Sequence, residues 1–316
     1  MLGFTTNPFL LQEFGFGQGF DVYRFFPGRE FAPAERVVAE ALDVLQRTKR
    51  DRPVFLWVHL MEPHSPYVRP AIVRALFPVR GPSGPLSGTP APFWLLPGSP
   101  SDLRHYRNAY DAKIAAADIA VESLTRGFIE TRARRPPVIV VTADHGEEFL
   151  EHGGWEHSRT LYDELLRVPL VMVVPGYTPR VVREQVQLID VFPTLVELGR
   201  GVTPSTSGHS LVPLMQGAGR AHDAVSQNDT AVSIRSQSWK LIAHTDGRRE
   251  LFDLGSDPGE RRNVLSDHTA TAQSLLARLE ELQTARHAGR NDGDGGRVRV
   301  APSVREQLRA LGYVQP

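Results

Sequence analysis

Residues 138–157 read Val138-Ile139-Val140-Val141-Thr142-Ala143-Asp144-His145-Gly146-Glu147-Glu148-Phe149-Leu150-Glu151-His152-Gly153-Gly154-Trp155-Glu156-His157. A short β-branched run delivers a carboxylate and an imidazole at its C-terminal end, where open α/β sheets place ligands. Further imidazoles follow within one loop. An Asp-His pair at a strand end, with more histidine nearby, fits a divalent-cation site that serves hydrolysis. For such a pair in isolation, a capping Asp beside a surface His is the plainer alternative. Asp144 and His145 are the candidate oxygen and nitrogen ligands, and His157 can fold back from the loop to meet a substrate anion. Glu147, Glu148 and Glu151 are expected to cap or solvate the loop, and Arg167 to pair with Asp163 or Glu164.

The flanking chain sets the fold class. Two further apolar runs, 53–60 and 168–174, read with 137–143 as strands buried on both faces of a sheet. Between them lie helical patterns. Residues 33–50 place Val37, Val38, Ala41, Leu42 and Leu45 on one face. A longer helix, ending near Arg134, carries the stripe Tyr106, Tyr110, Ile114, Ala117, Val121, Leu124 and Phe128. Strand–helix–strand alternation implies an α/β fold with a mainly parallel sheet sandwiched by helices. After residue 200 the pattern changes to short strands at 231–235, 239–244 and 250–254, separated by polar turns. These predict a small antiparallel sheet, followed by a helix near 268–286 with Leu275, Leu276, Leu279 and Leu282 facing inward.

The expected organisation is an α/β domain over 1–205, a C-terminal α+β subdomain over 206–288, and a mobile glycine-rich segment with a short terminal helix over 289–316. Residues 78–101 are dense in Pro, Gly and Ser and predict an irregular excursion. Basic and acidic residues balance at 36 each, so no global field favours nucleic acid. With no cysteine, disulfides, thiolate metal sites and a cysteine nucleophile are excluded within these 316 residues. No apolar run reaches the length of a membrane span. Compartment and oligomeric state are left unassigned.

A second candidate lies just past the 53–60 run, in Glu62-Pro63-His64-Ser65-Pro66-Tyr67. Two prolines bracket His64 and favour an extended turn, a rigid mount for an imidazole that contacts an anion or protonates a leaving group. The alternative is an ordinary histidine in a Pro-rich turn.

Taken in order along the chain, these segments resemble the sulfatase family of the alkaline phosphatase superfamily. The resemblance rests on Gly19-Phe20-Asp21, Pro63-His64-Ser65-Pro66-Tyr67, Tyr110-Asp111-Ala112 and the 144–153 stretch. It continues through Leu161-Tyr162-Asp163-Glu164-Leu165-Leu166-Arg167-Val168-Pro169-Leu170, Asp190-Val191-Phe192-Pro193-Thr194-Leu195 and Gly208-His209-Ser210-Leu211. Trp239-Lys240-Leu241 and Leu251-Phe252-Asp253-Leu254 complete it. What the resemblance implies is an alkaline-phosphatase-like fold and metal-dependent hydrolysis of sulfate esters. It implies Asp144 and His145 as metal ligands, and His64 and His157 as the catalytic residues that contact the ester anion or protonate the leaving group. The implied cofactor is one divalent cation, Ca²⁺ first, with Mn²⁺ or Zn²⁺ as alternatives. The implied partner is a small-molecule or glycan sulfate ester, or a phosphate ester.

The family's nucleophile, a Cys, Ser or Thr in a Cys/Ser-x-Pro-Ser/Ala-x-Arg motif preceded by two metal-binding Asp residues, is not found here. The expectation is therefore an N-terminally truncated sulfatase-like chain with a half-built site, inactive alone. A phosphodiester or phosphonate hydrolase, or a phosphoglycerol-type transferase, of the same superfamily is the alternative enzyme. A non-catalytic anion-binding protein is the alternative outside enzymes.

Overall fold

The computed structural model describes residues 1–27, 32–49, 52–77, 100–132 and 136–288. The irregular excursion expected before residue 100, the glycine-rich stretch 289–296 and the terminal helix at 304–311 lie outside them. The chain divides into two compact units, one running to Pro137 and one from Val138.

The first unit is built on a three-stranded parallel sheet. Its strands are β1 (Leu2–Thr5), β2 (Val22–Phe25) and, after helix α1 (Ala34–Arg47), β3 (Leu56–His59), in the order β2-β1-β3. The pleat alternates side chains between faces. Leu2 and Phe4 of the central strand point with Leu56 and Val58 toward Val37, Ala41 and Leu45 of α1. Phe4 and Leu45 are fully buried, each worth about 1.5–3 kcal/mol. On the opposite face Gly3 stands between Tyr23 and Trp57, whose rings stack at 6.2 Å across it. A Cβ at Gly3 would sit 2.6 Å from the Tyr23 ring. Helix α2 (Pro100–Thr131) lays Leu124 and Phe128 against this core.

Neither β1 nor β2 stands out in the sequence, since Gly3 interrupts the apolar run of one and Arg24 that of the other. The α2 stripe also differs from expectation. Tyr106, Ala109, Ala112, Ala116 and Ala120 are buried, whereas Ile114 is 41% exposed. Small side chains let the helix approach closely and do not register as an apolar stripe.

The second unit holds β4 (Ile139–Thr142), the two-residue strands β5 (Glu148–Phe149) and β6 (Trp155–Glu156), the single-turn α3 (Asp163–Leu166) and β7 (Leu170–Val173). The expectation of fully buried strands here is corrected. β4 pairs antiparallel with β7, and Val171 and Val173 are more than half exposed. The reason is the connection. The stretch between them holds the β5–β6 pair and only the four-residue α3, whereas a parallel crossover is usually made by a longer packed helix. β3 is likewise half-buried along its length.

After α4 (Val191–Arg200) and α5 (Val212–Met215) comes a four-stranded antiparallel sheet: β8 (Ala224–Gln227), β9 (Ala231–Arg235), β10 (Trp239–His244) and β11 (Arg249–Asp253), in order β11-β10-β9-β8. Helix α6 (Thr269–Ala288) covers one face through Ala272, Leu275 and Leu279, which pack on Ile234, Leu241 and Leu251. Leu282, expected inward, is 38% exposed. Among the described residues no helix is long and apolar enough to cross a membrane.

One buried ionic cluster joins this sheet to the loop before α3. Lys240 of β10 is fully buried, with its Nζ 2.9 Å from Asp163 Oδ1 and 2.7 Å from Glu260 Oε1. Arg235 adds a 3.0 Å contact to the second Asp163 oxygen, and Glu260 accepts the Asp163 backbone N–H at 2.6 Å. Asp163 and Glu164, expected to pair with Arg167, are instead taken by these cations and by His152. Burial works against ionised Asp163, but Lys240 and Arg235 outweigh it and hold its pKa below the usual range. For Glu260 burial prevails over Lys240, and its pKa is raised. Replacing Lys240 by Met leaves two carboxylates without their cation. We expect a loss of about 3–5 kcal/mol, read by urea unfolding. An unchanged midpoint would show that the cluster contributes nothing to holding the fold.

Candidate functional site

The candidate metal residues stand where β4 ends. Asp144 is exposed, and its Oδ1 accepts the His145 backbone N–H at 3.1 Å. His145 Nδ1 donates to the Gly146 carbonyl at 2.7 Å. That bond places the lone pair of the neutral ring on Nε2, which lies 3.9 Å from Asp144 Oδ1. Two ligand bonds of about 2.0–2.6 Å span such a gap, so the donor atoms fit a shared divalent cation. The turn is locked from behind. Gly146 N–H donates to the Leu165 carbonyl at 2.8 Å, and a Cβ on Gly146 would lie 2.0 Å from the Glu164 carbonyl oxygen.

His157 comes back to this turn as expected. Its ring stacks on His145 with centroids 4.2 Å apart, and its Nδ1 bonds Glu147 Oε1 at 2.9 Å. Burial opposes the imidazolium, yet the Glu147 hydrogen bond and charge, backed by Glu156 and Asp144, outweigh it and raise the His157 pKa. Glu147 is buried with it, so the expectation that it solvates the loop is corrected. Glu148 caps the loop, as expected, but from a buried position. At 1% exposure it accepts the backbone N–H groups of His152 (3.2 Å) and Gly154 (2.7 Å) and the Thr160 hydroxyl (2.8 Å). Glu151 accepts the Phe149 backbone N–H. Within this loop Leu150, Glu156 and Ser158 all hold positive φ, strain that these carboxylate bonds retain.

Glu148, His152 and Glu164 bring three potential ligand atoms together. Their bonding argues against a cation there. His152 Nδ1 meets the Glu164 carboxylate at 2.6 Å and Nε2 meets the Glu260 carbonyl at 3.0 Å. Both partners are acceptors, so both nitrogens donate and no lone pair remains for a metal. The ring also stacks on Tyr162 at 3.7 Å. A cavity of about 390 Å³ nearby is lined by His152, Arg159, Tyr162, His244 and Arg248, and by none of Asp144, His145 or His157.

His64 lies in the first unit, in the turn after β3. Its Nδ1 donates to the Ser65 carbonyl at 2.6 Å. Upstream, Glu62 accepts the Ala34 backbone N–H at 3.0 Å at the start of α1. Downstream, buried Tyr67 meets the edges of Tyr106 and Tyr110 of α2. The Tyr110 signal of the sequence thus has a packing cause.

The chain is similar to known proteins over most of its length. The Sulfatase family model matches residues 8–202, and that of the N-sulphoglucosamine sulphohydrolase C-terminal region matches 150–286. Arylsulfatase K of Mus musculus is 26% identical over 202 residues, covering 58% of this chain and 36% of that protein. Choline-sulfatase of Rhizobium meliloti (strain 1021) is 30% identical over 195 residues, covering 58% and 38%. The chain spans little more than a third of the length of these relatives. Among solved structures, the phosphonate monoester hydrolase of Agrobacterium radiobacter aligns at TM-score 0.66 and 22% identity, over 87% of this chain and 66% of that one. A structure in complex with its substrate D-glucosamine-2-N,6-O-disulfate aligns at TM-score 0.65 and 18% identity, over 85% and 72%.

Two outcomes test the site. The Glu164 and Glu260 contacts raise the His152 pKa although burial works against its charged form. A raised folded pKa stabilises below the unfolded value of about 6.5 and loses that contribution as pH climbs through the folded value. The thermal midpoint of wild type should therefore exceed that of Glu164→Gln most at pH 6, with the gap narrowing toward pH 8. A gap that widens with pH would contradict the imidazolium. Gly146→Ala should push the 144–146 turn off α3 and shift the His145 ring resonances, whereas unshifted resonances would show that the close approach is not needed.

Proposed function

The chain belongs to the sulfatase family, and from that premise we propose that it carries cation- and anion-binding parts of a sulfate-ester hydrolase. The observation that carries the reading is the 3.9 Å approach of Asp144 Oδ1 to His145 Nε2, with His157 stacked beside it. Asp144 and His145 would hold one divalent cation, Ca²⁺ or else Mn²⁺ or Zn²⁺, which when bound supplies Lewis-acid polarisation at the ester. His157, whose pKa the Glu147 contact raises, would hold the ester anion or deliver a proton to the leaving oxygen. His64 would contact the same kind of anion from its turn in the first unit.

That substrate class is supported by relatives named for aryl and choline sulfates, and by the disulfated sugar bound by one fold neighbour. A phosphonate monoester is the alternative, supported by the fold of the Agrobacterium hydrolase. The 316 residues contain no cysteine and no match to the family nucleophile motif. We infer that turnover needs a nucleophile this sequence does not supply, so its own chemistry is limited to binding the cation and the anion.

Titration calorimetry with Ca²⁺, Mn²⁺ and Zn²⁺ should show weak binding to the wild-type chain, since only two protein ligands are identified. Asp144→Ala and His145→Ala should each abolish it. Binding that survives both changes would remove the metal assignment. Incubation with an aryl sulfate and an aryl phosphonate should give background rates for both. Turnover of either would overturn the inference about the nucleophile and identify the ester class at once.

A further inference from the structure

The His64 turn is held by a residue that the sequence pattern places in an ordinary helix. Lys113, on α2, is 93% removed from solvent, at 7% relative exposure. Its Nζ donates to the His64 carbonyl at 2.8 Å and to the Pro66 carbonyl at 3.0 Å. A single ammonium thus ties the two carbonyls that flank Ser65, the residue whose own carbonyl takes the His64 Nδ1 proton. Burying an amine is costly unless its protons are bonded, so such a side chain persists only where it is held by fixed partners.

The same turn is fixed at its other points. Glu62 accepts a backbone N–H of α1, Met61 and Tyr67 are buried, and Tyr67 packs edge-on against Tyr106 and Tyr110, about two turns and one turn before Lys113. Backbone carbonyls are acceptors, and two of them aimed at one point need a donor with several protons. Lysine offers three, and a Met of similar length offers none.

We propose that Lys113 is a positioning residue for His64: its two bonds set the backbone of the turn, and through Ser65 they set the tautomer and direction of the imidazole. Lys113 acts through the turn and not on the substrate. The proposal rests on the reading of His64 as an anion-contacting residue, yet its first readout does not depend on it.

Histidine ring ¹⁵N–¹H correlation spectra of the full chain, with His64→Gln for assignment, report the tautomer directly. Wild type should show the Nδ1–H form at His64. Lys113→Met should keep its circular dichroism while the His64 signal moves to a mixture of tautomers, and Lys113→Arg, which retains several donors, should restore the wild-type pattern. Inorganic sulfate is then titrated against each protein. Any wild-type shift at His64 should weaken about tenfold in Lys113→Met. Lack of a sulfate shift in wild type would count against the proposed function while leaving the tautomer result to decide this one. A folded Lys113→Met with an unchanged His64 tautomer overturns the proposal. Should that variant not fold, Lys113→Gln, which keeps one bond, is read in the same way. Unfolding of both would also overturn it, assigning Lys113 to stability alone.

Discussion

The second unit depends on a lysine that no water reaches. Lys240 sits at zero exposure between Asp163 and Glu260, and its charge makes it possible for two carboxylates to lie in the same interior. Such a cluster gains little over an apolar core of the same volume, because removing the ions from water offsets much of their attraction. What it supplies is direction. Hydrophobic contact would let the 150–166 loop slide over the antiparallel sheet, whereas the Lys240, Arg235 and Asp163 contacts admit one placement. Glu260 extends the constraint. It holds a left-handed backbone at φ +53°, gives its side chain to Lys240 and Asp163, and gives its carbonyl to His152. The hairpin that presents His157 is therefore suspended from the sheet through His152 and Glu164.

This arrangement explains how three histidines close in sequence come to differ. His145 keeps an acceptor nitrogen toward Asp144, because its other nitrogen is committed to the Gly146 carbonyl. His157 faces one carboxylate and leans toward its cationic form. His152 faces acceptors on both sides and becomes a structural cation. Spacing alone gives each of them equal standing as a ligand. The identity of the atom facing each nitrogen separates them, and those atoms come from as far away as residue 260.

Legibility in the sequence followed the range of the interaction. Helix α1 and strands β9, β10 and β11 were readable because periodicity and turn residues are local signals, and the structure places the strands within one residue of expectation and the helix within three. The Asp144–His145 turn and the return of His157 were readable for the same reason, since one short loop contains them. The antiparallel pairing of β4 with β7 was not, because an apolar run does not state its direction. Glu147 and Glu148 were expected to cap or solvate the loop, and their partners, His157 for one and Thr160 with two capped amides for the other, account for their burial. Lys113 gave no signal at all. A lysine on a helix reads as surface until its two carbonyl partners, 47 and 49 residues away, are known.

Glu147 and Glu148 are consecutive and both buried, yet their carboxylates reach different partners. One carboxylate serves the His157 ring and the other anchors the loop that carries that ring. A residue inserted or deleted between them and His157 would draw one of these buried carboxylates away from its partner. The length of the loop is thus held by two interior carboxylates, whatever its exposed side chains are.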